Sequence, residues 1–330
     1  MPFFLGTDEA GYGPNLGPLT IGSTAWYVPY EHAKANLYEL LADEVAAGKE
    51  KKGSSKLPIA DSKKLYSASG SVALLEQAIL GGASFLGQTW NDWHSLWSGL
   101  QAQNPAQLAA IPWHIDYQLP LPHEASSDQI AAAKSAFDTS AHRTGARLVH
   151  LQAVAVYPQD FNTRLQQVSS KGELLSQATM QLVQDNLLAL RTGPHASAAT
   201  EDNQVTIYCD KHGGRDRYAG MLQHLFGADQ IHIGKESRDE SIYRFSHEGW
   251  QLTIHFTAKG EKNLPTALAS MIAKYLREIS MLPFNDFFIR HLPSLRPTAG
   301  YPEDAKRFAE ATTTLRKQLA IPDETFWRNK

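Results

Sequence analysis

A single cysteine, Cys209, stands among 330 residues. That excludes an internal disulfide and any zinc cluster built on cysteine. No apolar run approaches the roughly 18–20 residues that a membrane span requires, so no transmembrane segment is expected. The start, Met1-Pro2-Phe3, has neither a basic stretch nor a signal-type apolar core. Secretion is therefore not expected, and a cytoplasmic protein, taken as a monomer, is. An excess of one charge is also missing: 31 Lys and Arg against 34 Asp and Glu leave a net charge of -3. A case for nucleic acid must then rest on a local basic patch. There is no G-K-[ST], so a P-loop is excluded. Gly11, Gly13 and Gly17 form a loose G-x-G-x-x-x-G. The dinucleotide motif must open a helix at that point, and here Pro14, Pro18 and a strand follow. No internal repeat or low-complexity tract occurs. What remains is an apolar fraction of 42%, enough for a packed core, in a length that suits one elaborated domain or two small ones.

The stretch Leu5-Gly6-Thr7-Asp8-Glu9-Ala10-Gly11-Tyr12-Gly13-Pro14 organises the chain. Phe3-Phe4-Leu5 reads as a buried strand that delivers two adjacent carboxylates into a Gly-rich turn. Adjacent strand residues point to opposite faces, so both serve one site only if the strand bends, which Gly11 and Gly13 permit. An acidic surface turn is the plain alternative. A carboxylate pair at a strand end serves a core badly and a divalent metal well.

Residues 19–28 read as a second strand, antiparallel to the first. A helix is expected over 31–47, then a flexible basic loop over 48–56 leading into Asp61-Ser62-Lys63-Lys64-Leu65. Lys51, Lys52, Lys56, Lys63 and Lys64 cluster there, which suits a polyanion held through its phosphates; a solvated loop is the other reading. Residues 71–80 look helical. Trp90, Trp93, Trp97 and Trp113 serve either base stacking or a small core, with core favoured. Ser126 or Ser127 caps a helix running to 141. A strand over 147–156, a helix over 172–190 and a loop over 195–203 follow. The next strand, 205–209, ends at Asp210, where chemistry is often mounted. Then come a helix from about 216 to 226, strands near 231–233, 242–245 and 251–258, a helix over 264–281 and a last helix over 303–319. Ser270, Lys274 and Glu278 share one face of the 264–281 helix, although Lys274 and Glu278 also fit a simple surface pair.

Four separated pieces, in order, carry a family resemblance: Gly6-Thr7-Asp8-Glu9-Ala10-Gly11-x-Gly13-Pro14; Asp61-Ser62-Lys63-Lys64-Leu65; a strand ending at Asp210; and Ala269-Ser270-Met271-Ile272-Ala273-Lys274-x-x-Arg277-Glu278. The chain resembles ribonuclease HII, a type 2 ribonuclease H. Lys259-Gly260-Glu261 is similar to a Lys-Gly-Asp of that family, and Gly300-Tyr301 to its C-terminal G-Y segment. The match covers about half the chain. It implies an α/β, ribonuclease H-like fold, a mixed sheet flanked by helices. The catalytic domain would span 1–290, with a Trp-containing insertion over about 66–146, and a C-terminal helical segment would span 291–330. The activity implied is endonucleolytic hydrolysis of RNA in RNA–DNA hybrids, or at ribonucleotides embedded in duplex DNA.

The resemblance places the four catalytic, metal-binding acids at Asp8, Glu9, Asp210 and Glu278. Carboxylates converging in one cleft raise each other's pKa unless cations are present. Two Mg²⁺ or Mn²⁺ ions about 4 Å apart would relieve this, one activating water and the other stabilising the leaving 3′-oxygen. The ends produced would be a 5′-phosphate and a 3′-hydroxyl. Gly11, Tyr12, Gly13, Ser62, Lys63, Lys64, Lys274 and Tyr301 fall at its substrate-binding positions. The chain departs from the family in three ways. Tyr12 stands where an arginine is usual, Glu278 where aspartate is usual, and about a hundred residues exceed a typical core. Three alternatives stay open: a nuclease of the same fold that no longer selects ribonucleotides, a nucleic-acid-binding protein without catalysis, and a small-molecule α/β enzyme. Tyr301 reads equally as a packing residue.

Overall fold

A computed structural model describes residues 2–50, 53–66, 70–102, 105–193 and 203–329. Lys51, Lys52 and nearly all of the loop expected over 195–203 lie outside them. The elements in chain order are β1 (Pro2–Ala10), β2 (Leu19–Tyr27), α1 (Leu37–Leu40), β3 (Val45–Ala46), β4 (Leu57–Pro58), α2 (Ser62–Tyr66), α3 (Ala73–Phe85), α4 (Trp93–Gly99), α5 (Pro105–Ala109) and α6 (Ser127–Thr144). There follow β5 (Arg147–Val156), α7 (Pro158–Leu165), α8 (Lys171–Thr192), β6 (Gln204–Asp210), α9 (Ala219–Phe226), β7 (His232–Glu236), β8 (Glu240–His247), β9 (Trp250–Thr257), α10 (Leu264–His291), α11 (Pro302–Gln318) and α12 (Asp323–Phe326).

Seven strands form one mixed sheet in the order β5-β2-β1-β6-β9-β8-β7. β2 pairs antiparallel with both β5 and β1, whereas β1, β6 and β9 run parallel. Side-chain alternation sorts the two faces. Phe3, Leu5, Val205 and Ile207 pack with Met180, Val183 and Leu187 of α8 on one face. Phe4 and Trp26 join Leu268, Met271 and Ile272 of α10 on the other. The sheet is therefore covered by helices on both sides, as an α/β fold requires.

Two glycines set how closely α10 approaches. A Cβ at Gly6 would lie 2.1 Å from the Pro265 carbonyl carbon, and one at Gly22 would lie 2.3 Å from the Ala269 oxygen. No side chain fits there, so the helix lies directly on the backbones of β1 and β2. Thr24 Oγ1 donates to the Pro265 carbonyl at 2.8 Å, and Thr20 Oγ1 to the Ala273 carbonyl at 2.8 Å. These bonds fix the register of α10 against the sheet.

The segment 66–146 is core scaffold on the α10 side. Trp90, Trp93, Trp97 and Trp113 are all buried, as the core reading expected. Trp113 meets Phe284 edge-on at 5.0 Å between ring centroids. Ser126 caps α6 through a reciprocal bond with Gln129. Glu76, fully buried, accepts the backbone amides of His123, Glu124 and Ala125 at 2.7 Å each and the Tyr275 hydroxyl at 2.6 Å. These four donors satisfy a group that would otherwise be costly to bury.

Two expectations are corrected. No single helix spans 31–47. The chain makes a 3₁₀ turn at Tyr30–His32 and the one-turn α1, and then Val45–Ala46 pairs in parallel with Leu57–Pro58. Non-local pairing overrides the helical spacing of Leu37, Leu41 and Val45. The helix expected to stop at 281 runs to His291 with Pro283 inside it. Phe284 and Phe288 pack against Phe308 and Phe326 beyond that proline, and this packing offsets the lost backbone bond.

Candidate active site

Parallel strands place their carboxyl ends on one side, where open α/β sheets usually build sites. β1 outruns β6. Their pairing ends at Thr7 and Cys209, while β1 stays paired to β2 through Ala10. Asp8 and Glu9 therefore lie within the strand, beside the end of β6 that carries Asp210, and Gly11 turns the chain only afterwards, at φ +81. Asp8 and Glu9 both lie beyond the last residue of β1 that β6 covers. One ligand atom from each of Asp8, Glu9 and Asp210 falls within 4.8 Å of the others. That is a donor set able to hold a divalent cation.

Burial, and next the neighbouring Glu9, drive the Asp8 carboxyl well above its ordinary value; Asp210 and Glu261 add to this, and the Ser270 hydroxyl opposes it. Burial also lifts Glu9 to about 7, with Asp210 the next cause and Glu261 a smaller one, while the Lys63 ammonium pulls it down. Glu261 is itself raised by burial and by Asp210 and Asp61. Mutual elevation of this kind marks carboxylates that share a buried space in which the one nearby ammonium, Lys63, does not offset their charge.

Glu261 is not one of the three grouped carboxylates, but its charge is felt by Asp8 and Glu9, and it feels that of Asp210. β9 runs parallel to β6, so the turn after it returns to the end of β6. Lys259 takes the left-handed conformation at φ 64, and the Gly260 amide donates to Asp210 Oδ1 at 3.1 Å. A Cβ at Gly260 would lie 3.2 Å from the Asp210 nitrogen. The available signal was Lys259-Gly260-Glu261 directly after a strand.

Glu278 is placed differently. It lines the same cleft but is not among the grouped carboxylates. It pairs with the Lys274 ammonium and accepts the Tyr66 hydroxyl at 2.7 Å. Lys274 Nζ also lies 4.1 Å from the centre of the Tyr66 ring. The ammonium is thus engaged on the protein side of the cleft.

The cleft encloses about 610 Å³. Asp8, Glu9, Gly11, Tyr12, Gly13, Ser62, Lys63, Lys274, Glu278 and Tyr301 all line it. Lys64 does not; it is exposed on the outer side of α2. Ser62 Oγ and Ser270 Oγ are 2.9 Å apart, which ties α2 to α10 beside Asp8. Tyr301 is 57% exposed, so it presents its ring to the cleft mouth rather than filling a core. Tyr12 is half-buried, and a Cβ at Gly213 would lie 2.9 Å from its hydroxyl.

No helix among the described residues is long and apolar enough to cross a membrane. No protein-family model matches the chain, and no curated protein matches it. Solved structures do resemble it. Ribonuclease H2 from Pyrococcus horikoshii OT3 is 13% identical, with a TM-score of 0.40, over 98% of this chain and 92% of that one. Bst-RNase HIII in complex with Mn²⁺ is 15% identical, with a TM-score of 0.43, over 99% of this chain and 66% of that one. The RNase HII of the PCNA:RNase HII complex from Archaeoglobus fulgidus is 13% identical, with a TM-score of 0.39, over 99% of this chain and 94% of that one.

Proposed function

We propose that the chain is a metal-dependent endoribonuclease of the type 2 ribonuclease H kind, acting on RNA–DNA hybrids or on ribonucleotides embedded in duplex DNA. The observation that carries this reading is the grouping of Asp8, Glu9 and Asp210 at the carboxyl ends of β1 and β6. In it, Asp8, Glu9 and Asp210 hold two divalent cations, Mg²⁺ or Mn²⁺, with Glu278 of the cleft wall, as the resemblance implies, or Glu261 of the turn after β9 as the fourth acid; all-oxygen donors and a phosphate substrate favour hard ions. When bound, such ions lower the pKa of water and polarise the phosphodiester.

The protein's own groups do the rest. The Ser270 hydroxyl favours the ionised form of Asp8, and the Lys63 ammonium favours that of Glu9. Lys63 also leaves positive charge at the rim for a phosphate backbone. The Gly11–Tyr12–Gly13 backbone and Tyr301 flank the space for a sugar, where a 2′-hydroxyl is both donor and acceptor. Lys274 pairs with Glu278 in the cleft lining and adds positive charge there for a phosphate. The catalytic unit spans 1–290, and the segment 291–330 supplies Tyr301.

One observation favours a second reading. Tyr12 stands where the resemblance expects arginine, and a nuclease with that loop could cleave without selecting ribonucleotides. Matched all-DNA, hybrid and single-ribonucleotide duplexes, each with Mg²⁺ and with Mn²⁺, separate the two. The first reading expects cleavage only where RNA is present, leaving a 5′-phosphate and a 3′-hydroxyl. Asp210→Asn abolishes it while the thermal midpoint stays nearly unchanged. Full turnover in that variant would remove the site assignment, and equal cleavage of all three duplexes would move the function to the second reading.

A further inference from the structure

Gly11 to Pro14 line the cleft, and two buried arginines hold the loop that runs from Gly11 to Pro18. Arg277 donates to the carbonyls of Pro18 and Leu16 at 2.8 Å and of Ala299 at 3.0 Å. Gly17, at φ +72, leaves room for it; a Cβ there would lie 2.3 Å from Arg277 Nη1. Arg328 comes from the other end of the chain. Its Nη2 donates to the Gly11 carbonyl at 2.7 Å and also to the Pro14 carbonyl. The backbone around it is laced to the same loop. The Arg328 amide donates to the Asn15 carbonyl at 2.8 Å, and Asn15 Nδ2 returns a bond to the Arg328 carbonyl at 3.1 Å. Leu16 and Trp327 form a β-bridge. Asn162 of α7 then anchors the tail, donating to the Trp327 carbonyl at 2.8 Å and accepting the Asn329 amide at 2.8 Å.

Arg328 is unusual in energetic terms. It is 1% exposed, it has no acidic partner among the described residues, and its Nε and Nη1 make no hydrogen bond. Burial and the nearby Arg277 lower its pKa well below the usual guanidinium range. An unpaired buried cation is expensive, and an apolar side chain of similar size would serve stability better. What the guanidinium adds is orientation. A trans peptide holds its C=O and N–H antiparallel. With the Gly11 carbonyl drawn to Arg328, the Tyr12 N–H points away from Arg328; Gly11 and Tyr12 line the cleft and Arg328 does not. That N–H has no acceptor among the described residues, so it is a free main-chain donor.

We propose that Arg328 is a positioning residue of the active site: from the C-terminal tail it fixes the Gly11–Pro14 backbone so that the Tyr12 amide is presented to the nucleic acid. This rests on the nuclease reading. Arg328 touches no substrate, and the carboxylates are held independently by β1, β6 and the turn after β9. Loss of its guanidinium therefore weakens substrate engagement more than chemistry.

The test is steady-state cleavage of the single-ribonucleotide duplex by Arg328→Met, Arg328→Lys and Asn162→Ala, with thermal midpoints, calorimetric Mn²⁺ affinity, and duplex affinity by fluorescence anisotropy in Ca²⁺. Arg328→Met, which keeps the apolar volume, is expected to raise KM at least tenfold with kcat within threefold and Mn²⁺ affinity unchanged. Arg328→Lys, which keeps one donor, recovers part of the KM. Asn162→Ala, remote from the cleft, shifts KM the same way by a smaller factor. KM within twofold of wild type in Arg328→Met overturns the proposal. Should that variant not fold, unchanged KM in both of the others overturns it as well. A fall in kcat and Mn²⁺ affinity without a KM change also overturns it. If wild type cleaves none of the duplexes, the nuclease reading fails, and the anisotropy comparison still decides whether Arg328 serves duplex binding.

Discussion

Glu9→Gln tests the electrostatics of the carboxylate group without any substrate. Burial and Asp210 lift Glu9 from its ordinary 4.5 to about 7. The folded state then holds the Glu9 proton more tightly than the unfolded chain does. The stability this contributes is full below pH 4.5 and is lost as pH rises toward 7. At about 1.4 kcal/mol per pKa unit, the ionised carboxylate costs the metal-free protein about 3 kcal/mol at pH 8. An unfolding entropy of about 2.1 cal/mol/K per residue turns that into a midpoint shift of about 4 °C for a chain of this length. Glutamine keeps the shape and removes the charge. In chelator at pH 8, Glu9→Gln should melt about 4 °C above wild type; at pH 5 the gap should fall to about 1 °C. Saturating Mn²⁺ should close most of the gap. An ion at about 100 times its Kd adds about 2.7 kcal/mol to the wild type, and the variant, lacking a ligand, should gain less. Melting curves at half-unit pH steps, with chelator and with Mn²⁺, measure all of this. Parallel wild-type and variant curves from pH 5 to pH 8 in chelator would refute the crowding of charge inferred around Glu9.

Three further variants bear on the architecture. Glu261→Gln should weaken Mn²⁺ binding in calorimetry and lower kcat by roughly two orders of magnitude or more, in keeping with the loss of a charge-bearing group at the reacting centre. Glu278→Gln should leave both within a few-fold, and the reverse outcome would return the fourth acid to α10. Gly6→Ala should destabilise by about 3 kcal/mol or more, read by denaturant titration, because its Cβ meets the Pro265 backbone rather than a side chain that can turn aside.

The fold was most legible where local pattern and tertiary role agree. Phe3 to Leu5, the 147–156 stretch and the 205–209 stretch alternate between two covered faces, so periodicity alone finds β1, β5 and β6. The serine cap of α6 follows from side-chain chemistry within four residues. The 31–47 segment misleads because Leu37, Leu41 and Val45 repeat at a helical spacing, while Val45–Ala46 is claimed by a partner strand some eleven residues on. The site shows the same division. Asp8, Glu9 and Asp210 are visible because each sits at or near the end of an apolar strand. Glu261 is only half visible: Lys259-Gly260-Glu261 after a strand is a local signal, but its place beside Asp210 depends on β9 lying parallel to β6, which that signal does not report. Glu278, halfway along α10 from that turn, takes its partners from Lys274 and Tyr66 on its own side of the wall. Arg328 could not be read at all from sequence, since its partners lie more than three hundred residues away.

Helix α10 touches both ends of the molecule's interior. Its first turns rest on β1 and β2 and seat Ser270 beside Asp8, while its last turns are wedged among Phe308, Phe326 and Trp113. A beam gripped that tightly at either end transmits displacement instead of absorbing it. Repacking the distant aromatic knot would thus be felt at Ser270 and, through its hydroxyl, at the Asp8 carboxyl, far from where the change was made.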